Sequence, residues 1–400
     1  MGKISKLFEY DADMSGMSEV SIISSIKKVQ LYSFDFYKLV KERVMVNLQT
    51  KKFESSMEAE IFEQPAILGL ILNSYIDPKG VIKMDTPVKI DKIVLVASGS
   101  SYHCARFSAD LFGEIAGIEA RAIYSSEFLL KKIVPQDRNI VYIFITQSGE
   151  TSDTLNALNK SKQLGVKTMC ITNKENSTAW KTADYKINCL AGEEKSIAST
   201  KALTAQMLCL YLLALKYAQI RKLDVFEHLI HLKRLPQIIE NTLELDGKIE
   251  PLARFLSKYK NIIITADGIS YALAKEACLK IKETSYINVM SHILGEFMHG
   301  HVAVLNNKSV LVYISSDVVS YSTIKNMEKI KKDYNPPICV IGKSSERINS
   351  AFNIDLEVED EVLKMFSNAV ILQLLALKIA KKLNRDVDKP RGLKKVVTEI

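Results

Sequence analysis

The chain has 400 residues and a net charge of +8, from 54 basic and 46 acidic residues, with 47% hydrophobic and 25% charged residues. That balance is the soluble globular average, so it excludes a disordered chain, a collagen-like repeat and a small disulfide-stapled scaffold. At roughly 100–200 residues per domain, the length fits two to four domains.

Residues 1–56 mix Ser, Met and charges and show helical periodicity over about 33–48, which predicts a helical arm apart from the rest. From Met57, MEAEIFEQPAILGLIL reads as a helix interrupted at Pro65, because proline removes a donor and clashes with the preceding turn. KIVLVAS is a buried strand ending in Ser98–Gly99–Ser100–Ser101, followed by a helix from about Tyr102 to Ala116. IVYIFITQSGET repeats the plan of strand, small polar turn and helix, and a third apolar run lies around Met169 to Thr172. Strands alternating with helices predict a parallel sheet with crossover helices.

The plan then recurs. NIIITADGIS is a strand and turn with a helix from about Tyr271; SVLVYISSD answers IVYIFITQS, and PPICVIG answers KTMCIT. The expected fold is therefore α/β, two tandem units of one design, each a doubly wound, flavodoxin-like parallel sheet flanked by helices. A helical stretch over about 200–254 joins them, with the linker near 240–250. The expected divisions are 1–56 for the arm, 57–240 and 241–384 for the units, and 385–400 for a basic tail.

The two copies differ chemically. Hydroxyl donors gather at strand ends in the first, at Ser98–Gly99–Ser100–Ser101 and Thr146–Thr151, whereas the second has Ala266–Asp267–Gly268 and Ser315–Ser316–Asp317. Ligands of open parallel sheets sit beyond the carboxyl ends of the strands, where helix N-termini offer free N–H groups to an anion. Ser100, Ser101, Ser148 and Thr151 add hydroxyls there, which suits a phosphate monoester. Neither a P-loop nor a complete dinucleotide fingerprint is present. Read singly, such Ser and Thr are helix caps.

The six cysteines form no CxxC and mostly sit in apolar runs, as in a reducing, cytoplasmic setting. The nearly unbroken apolar run 207–215 is shorter than the roughly 20 residues a bilayer span takes, and no apolar leader opens the chain. The basic stretch 381–395 lacks the interleaved aromatics of a nucleic-acid surface. Neither nucleic acid nor membrane is therefore expected as a partner.

QSGETSDT at 147–154 resembles the sugar-phosphate motif of SIS (sugar isomerase) domains. Together with IASTKA, EACLKIKE, GEFMHG and DVDKPRGLKKVVT, in that order, it resembles the isomerase half of the glutamine–fructose-6-phosphate amidotransferases (glucosamine-6-phosphate synthases), from about residue 57 onward. The resemblance implies a cradle of Ser100, Ser101, Gln147, Ser148 and Thr151, and a sugar-contacting loop at Ile197, Ala198 and Ser199. It implies Glu283 as proton shuttle between C1 and C2, with Lys280 beside it, although a surface i,i+3 salt bridge is the plainer reading of that pair. Glu276 and Lys280, at i,i+4, share a helix face. His299 is implied as the ring-opening group, donated by a neighbouring subunit of a homodimer.

Lys395 is implied as the amine that meets the open-chain carbonyl, with Arg391 in the same tail. Crowding by Arg391 and Lys394 would lower the pKa of such an amine. Asp267 stands where the family often has arginine, and His301 where it usually has proline. No cofactor and no metal are expected.

The family's glutaminase domain uses an N-terminal cysteine. Here the chain opens Met-Gly-Lys and the first cysteine is Cys104. The expected reaction is thus amination of fructose 6-phosphate to glucosamine 6-phosphate, with ammonia free or from a separate glutaminase subunit. A sugar-phosphate deaminase or deglycase, an aldose–ketose isomerase, and a non-catalytic sugar-phosphate sensor are the alternatives.

Overall fold

A computed structural model describes residues 52–306, 308–315 and 319–396. The expected arm helix over 33–48, and Ser316 and Asp317 of the second copy's turn, lie outside these residues.

The first unit opens with α1 (Ser56–Phe62) and α2 (Gln64–Tyr75). The break falls just before Pro65, whose missing N–H costs nothing at a helix start. Then follow β1 (Lys92–Ala97), α3 (Gly99–Ala116), β2 (Glu119–Tyr124), α4 (Ser125–Leu130), β3 (Ile140–Thr146), α5 (Ser152–Gln163), β4 (Lys167–Thr172), α6 (Thr178–Thr182) and β5 (Tyr185–Asn188). The joining stretch is helical throughout: α7 (Lys201–Ile220), α8 (Phe226–Lys233), α9 (Leu235–Leu243) and α10 (Asp246–Leu256). The second unit has β6 (Asn261–Ala266), α11 (Ser270–Ser285), β7 (Asn288–Ile293), α12 (Leu294–Phe297), β8 (Ser309–Ser315), α13 (Tyr321–Tyr334), β9 (Ile338–Gly342), β10 (Phe352–Ile354) and α14 (Glu361–Lys382).

Both sheets are parallel and five-stranded, ordered β2-β1-β3-β4-β5 and β7-β6-β8-β9-β10. The order reverses between β1 and β3 in one and between β6 and β8 in the other. Chains leave those neighbouring strands toward opposite faces, so a crevice opens at each switch point. The central strands β1, β3, β4, β6, β8 and β9 are buried along nearly all their length. Helices cover both faces, so these strands read as continuous apolar runs rather than alternations.

One continuous core runs from the first sheet through α3 and α7 to α11, α14 and the second sheet. Smaller cores lie under the outer helices of each unit. Helices α7 and α14 are long and apolar enough to cross a membrane by length and composition, but 83% and 89% of their apolar windows are buried inside the protein. Their hydrophobicity belongs to the layer between the two sheets.

The site is positioned by the meeting of α3, which starts at the first sheet's switch point, with α11, which starts at the second's. All six cysteines are free and buried.

Candidate active site

The cradle is built at the ends of β1 and β3, which pair in register up to Ala97 and Ile145. Helix α3 begins earlier than the periodicity predicts, at Gly99, so Ser100 and Ser101 lie in its first turn. Neither Ser98 before α3 nor Thr151 before α5 uses its side chain as a cap. The Thr151 hydroxyl instead meets Thr146 Oγ1 at 3.2 Å, and Ser148 Oγ accepts from the Glu150 N–H at 3.1 Å. The Gln147 carbonyl accepts from the Asn173 N–H at 3.1 Å, tying the loop to the end of β4.

Gly149 fixes the loop's path. Its φ is +70°, and a Cβ there would stand 2.1 Å from Ser177 Oγ. Only glycine accepts both the left-handed conformation and the close approach.

Glu276 on α11 is 3% exposed and gathers groups from both units. The Ser100 hydroxyl donates to its Oε1 at 2.9 Å, His103 Nδ1 lies 2.6 Å from its Oε2, and Lys280 Nζ lies 3.5 Å from its Oε1. Burial alone would push the Glu276 carboxyl up, but Lys280, His103 and Ser100 together hold it below the usual range. Lys280 is 1% exposed. Burial would push its amine down, but Glu283, Glu276 and Glu194 outweigh that and raise it.

Lys280 Nζ is 2.7 Å from Glu283 Oε2, so the i,i+3 pair forms, but with its lysine in the interior rather than on the surface. Glu283 itself is only partly covered, with 20% of its side chain exposed. A carboxylate held by a buried cation and open on one side can take and return a proton.

Lys395 comes from the tail. Its ammonium donates to Glu194 Oε2 at 2.5 Å and to the Ser196 carbonyl at 2.6 Å. Glu194 has a fully buried side chain and also accepts the Thr200 and Ala202 N–H groups at 2.9 and 3.1 Å. It thereby satisfies the open N-terminus of α7 and fixes the loop carrying Ile197, Ala198 and Ser199. The Ser199 hydroxyl reaches Glu194 Oε1 at 3.4 Å. The group beside Lys395 is thus a carboxylate, in place of the expected crowd of cations.

Arg391 packs at the C-terminal end of α11. Its guanidinium lies over the Tyr286 ring at 4.7 Å, and its backbone N–H donates to the Tyr286 hydroxyl at 2.6 Å. His299 is exposed, just beyond α12, which follows the edge strand β7 of the second sheet. The structure joins Ser100, Glu276, Lys280, Glu283, the 197–199 loop and Lys395 in one neighbourhood. It places Arg391 on Tyr286, the residue that ends α11 three positions after Glu283, and His299 on the exposed segment that follows α12.

Asp267 closes the second unit's strand end with its own charge. Its Oδ2 accepts from Thr323 Oγ1 at 2.9 Å and from the Tyr313 hydroxyl at 3.2 Å. Donors that would serve an external anion are bound to this internal one. The His301 ring lies 4.4 Å from that of His292 at a tilt of 33°, and burial together with His301 keeps His292 below its usual range. No group of three or more His, Cys, Asp or Glu able to hold a metal occurs among the described residues.

Sequence reasoning passed over His103 and Glu194. Each had a signal: His103 is one helical turn beyond Ser100, and Glu194 opens the stretch that leads into IASTKA.

Two doubly wound parallel sheets, each with its own switch point and joined by a shared helical layer, define a tandem α/β architecture of one repeated design. The SIS domain family model matches residues 88–216 and 255–381, and the chain belongs to that family.

Over nearly all its length the chain matches the isomerase, C-terminal portion of the isomerizing glutamine–fructose-6-phosphate aminotransferases. It is 32% identical over 382 residues to the one from Aquifex aeolicus, covering 92% of this chain and 63% of the relative. With that of Campylobacter jejuni it shares 35% identity over 353 residues, covering 86% and 58%. The chain thus spans about three fifths of the curated relatives it matches. A solved C-terminal domain of glucosamine-fructose-6-phosphate aminotransferase from Francisella tularensis superimposes with a TM-score of 0.80 at 27% identity, covering 84% of this chain and 99% of that one. A glucosamine-6-phosphate deaminase from Thermotoga maritima shares the fold, with a TM-score of 0.69 at 20% identity and coverage of 86% and 99%.

Proposed function

We propose that the chain catalyses isomerising amination of a ketose phosphate, converting fructose 6-phosphate and ammonia to glucosamine 6-phosphate. The observation that carries this reading is the convergence of Lys395 with Glu283. The tail amine pairs with Glu194, whose charge also acts on the buried Lys280, and Lys280 pairs with the largely covered Glu283 carboxylate. Simple aldose–ketose isomerisation needs the carboxylate but not the amine.

In this reading the cradle of Ser100, Ser101, Gln147, Ser148 and Thr151 holds the phosphate. The open-chain carbonyl condenses with the Lys395 amine and releases water. Ammonia then displaces the lysine from the imine carbon. Glu283 moves the proton from C1 to C2, with Lys280 keeping its carboxylate placed. His299 of a second copy opens the ring, which makes the homodimer the working unit. Ammonia is taken free or from a separate glutaminase chain.

The test is product analysis by mass spectrometry, with fructose 6-phosphate and ammonium, with and without glutamine and a glutaminase partner. Glucosamine 6-phosphate with ammonium alone is the expected result. No amino sugar under any of these conditions would refute the amination. Glu283→Gln separates an enzyme from a sensor: the variant should bind fructose 6-phosphate as the parent does and lose turnover at least about a hundred-fold, the usual contribution of a positioned acid–base. A sensor has no turnover to lose.

A further inference from the structure

Glu60 on α1 is 3% exposed and has no place in the chemistry above. Its Oε1 accepts the N–H groups of Lys195 and Ser196, the latter at 3.2 Å. Its Oε2 is buried with no hydrogen-bond partner among the described residues. Those two N–H groups belong to the loop whose Glu194 carboxylate and Ser196 carbonyl hold the Lys395 ammonium.

The contacts close a ring. Asp388, seven residues before Lys395, accepts the Ser56 and Met57 N–H groups at 2.7 and 2.9 Å and so caps α1. Helix α1 grips the loop through Glu60, the loop grips Lys395, and the tail returns to Asp388. Glu60 is the only link of this ring in which a carboxylate oxygen is left buried and unmatched.

We propose that Glu60, carrying a proton, is the positioning residue that clamps the 194–196 loop and thereby holds the Lys395 amine in place, and that its ionisation releases that amine. The charges around it favour this. Glu194 faces it from the loop with the same sign. Lys201, at the start of α7, offsets this only in part because it is already paired with Glu63 at 2.6 Å. Lys395 is already shared between Glu194 and Ser196. A lone buried hydroxyl costs far less than a lone buried carboxylate. Burial first, and Glu194 next among the groups that raise it, push the Glu60 carboxyl up to about 7, against the two backbone donors. Ionisation calls water to Oε2 and parts α1 from the loop.

That Lys395 is the amine meeting the sugar rests on the function proposed above; the clamp itself does not. The test needs neither sugar nor ammonia. Lysines of the full chain are pulse-labelled with acetic anhydride between about pH 6 and 8, and Lys395 labelling is normalised to exposed Lys79. The parent should show a several-fold step in normalised Lys395 labelling across pH 7. Glu60→Gln, a neutral acceptor of the same shape, should stay at the low level throughout, and Glu60→Ala at the high level. Parallel profiles for the parent and Glu60→Gln would overturn the proposal, and that comparison stands even if Glu60→Ala does not fold. A normal labelling step with no amino-sugar product would sink the proposed reaction and leave the clamp intact.

Discussion

Lys280→Met removes the cation buried between Glu276 and Glu283 while keeping the length and shape of the side chain. Deleting one partner of a buried ion pair costs about 3–5 kcal/mol, because the remaining charge is left unmatched. In the parent, the Glu276 carboxyl is held below its ordinary value of 4.5 by Lys280 and His103 against the push of burial. Its stabilising contribution is therefore present above pH 4.5 and lost only as pH falls through the lower folded value. The Lys280 amine is held above its ordinary value of 10.5 by Glu283 and Glu276 against the push of burial, so its contribution is full below that and lost only as pH rises through the folded value. Between about pH 5 and 8 neither changes. In the variant, the strongest opposition to burial at Glu276 is gone, so its carboxyl should move above 4.5. The sign then reverses: the variant binds a proton more tightly folded than unfolded and loses stability as pH rises. Each unit of that rise adds about 1.4 kcal/mol to the deficit at pH 8. Urea unfolding of both proteins at pH 5, 6.5 and 8 measures the difference, in which other titrating groups cancel. A deficit of about 3–5 kcal/mol near neutral pH that shrinks toward pH 5 is expected. A deficit constant over the whole range would show that Glu276 does not depend on Lys280 for its charge.

Gly149→Ala forces a side chain onto a φ of +70° and against Ser177 Oγ. The backbone strain alone is about 1–3 kcal/mol, and calorimetry should show fructose 6-phosphate affinity falling at least about ten-fold as the cradle shifts. Asp388→Ala uncaps α1 at Ser56 and Met57, at a cost of about 1 kcal/mol. Limited proteolysis should then cut within residues 388–396 faster than in the parent; an unchanged rate would mean the tail is held elsewhere.

The central strands were legible because helices bury both their faces, which writes them as apolar runs such as KIVLVA and IVYIFIT. The edge strands β2, β5, β7 and β10 were not, because their residues are largely half-buried or exposed and show no apolar run. The same division holds at the site. Glu276, Lys280 and Glu283 are one helical turn apart, so their pairing could be read from spacing. Ser100 to Glu276, His103 to Glu276 and Lys395 to Glu194 span 176, 173 and 201 residues. Only the packing of α3 on α11 and the return of the tail create them. Crowding of Lys395 by its sequence neighbours failed as a guide for the same reason: Arg391 stacks on Tyr286, and a distant glutamate takes the amine.

The position of His299 argues that one chain does not complete the proposed site. It is exposed at the rim of the second sheet, outside the cluster around Glu276, between Ile293 and Val304, which are 41% and 44% exposed. Exposed apolar side chains flanking a polar group suit a surface that a second copy covers. If the partner's rim delivers this histidine, a chain lacking Glu283 and a chain lacking His299 should repair each other. Co-expressed Glu283→Gln and His299→Ala chains pair at random, so half of the dimers are mixed, and each mixed dimer holds one site with both groups intact. Amino-sugar formation should then return to about a quarter of the parent rate, while each variant alone stays inactive. Native mass spectrometry verifies that mixed dimers form. Mixed dimers without recovered turnover would place His299 in service of its own chain, and the tail and α12 would then have to move toward each other within one subunit for the reaction to proceed.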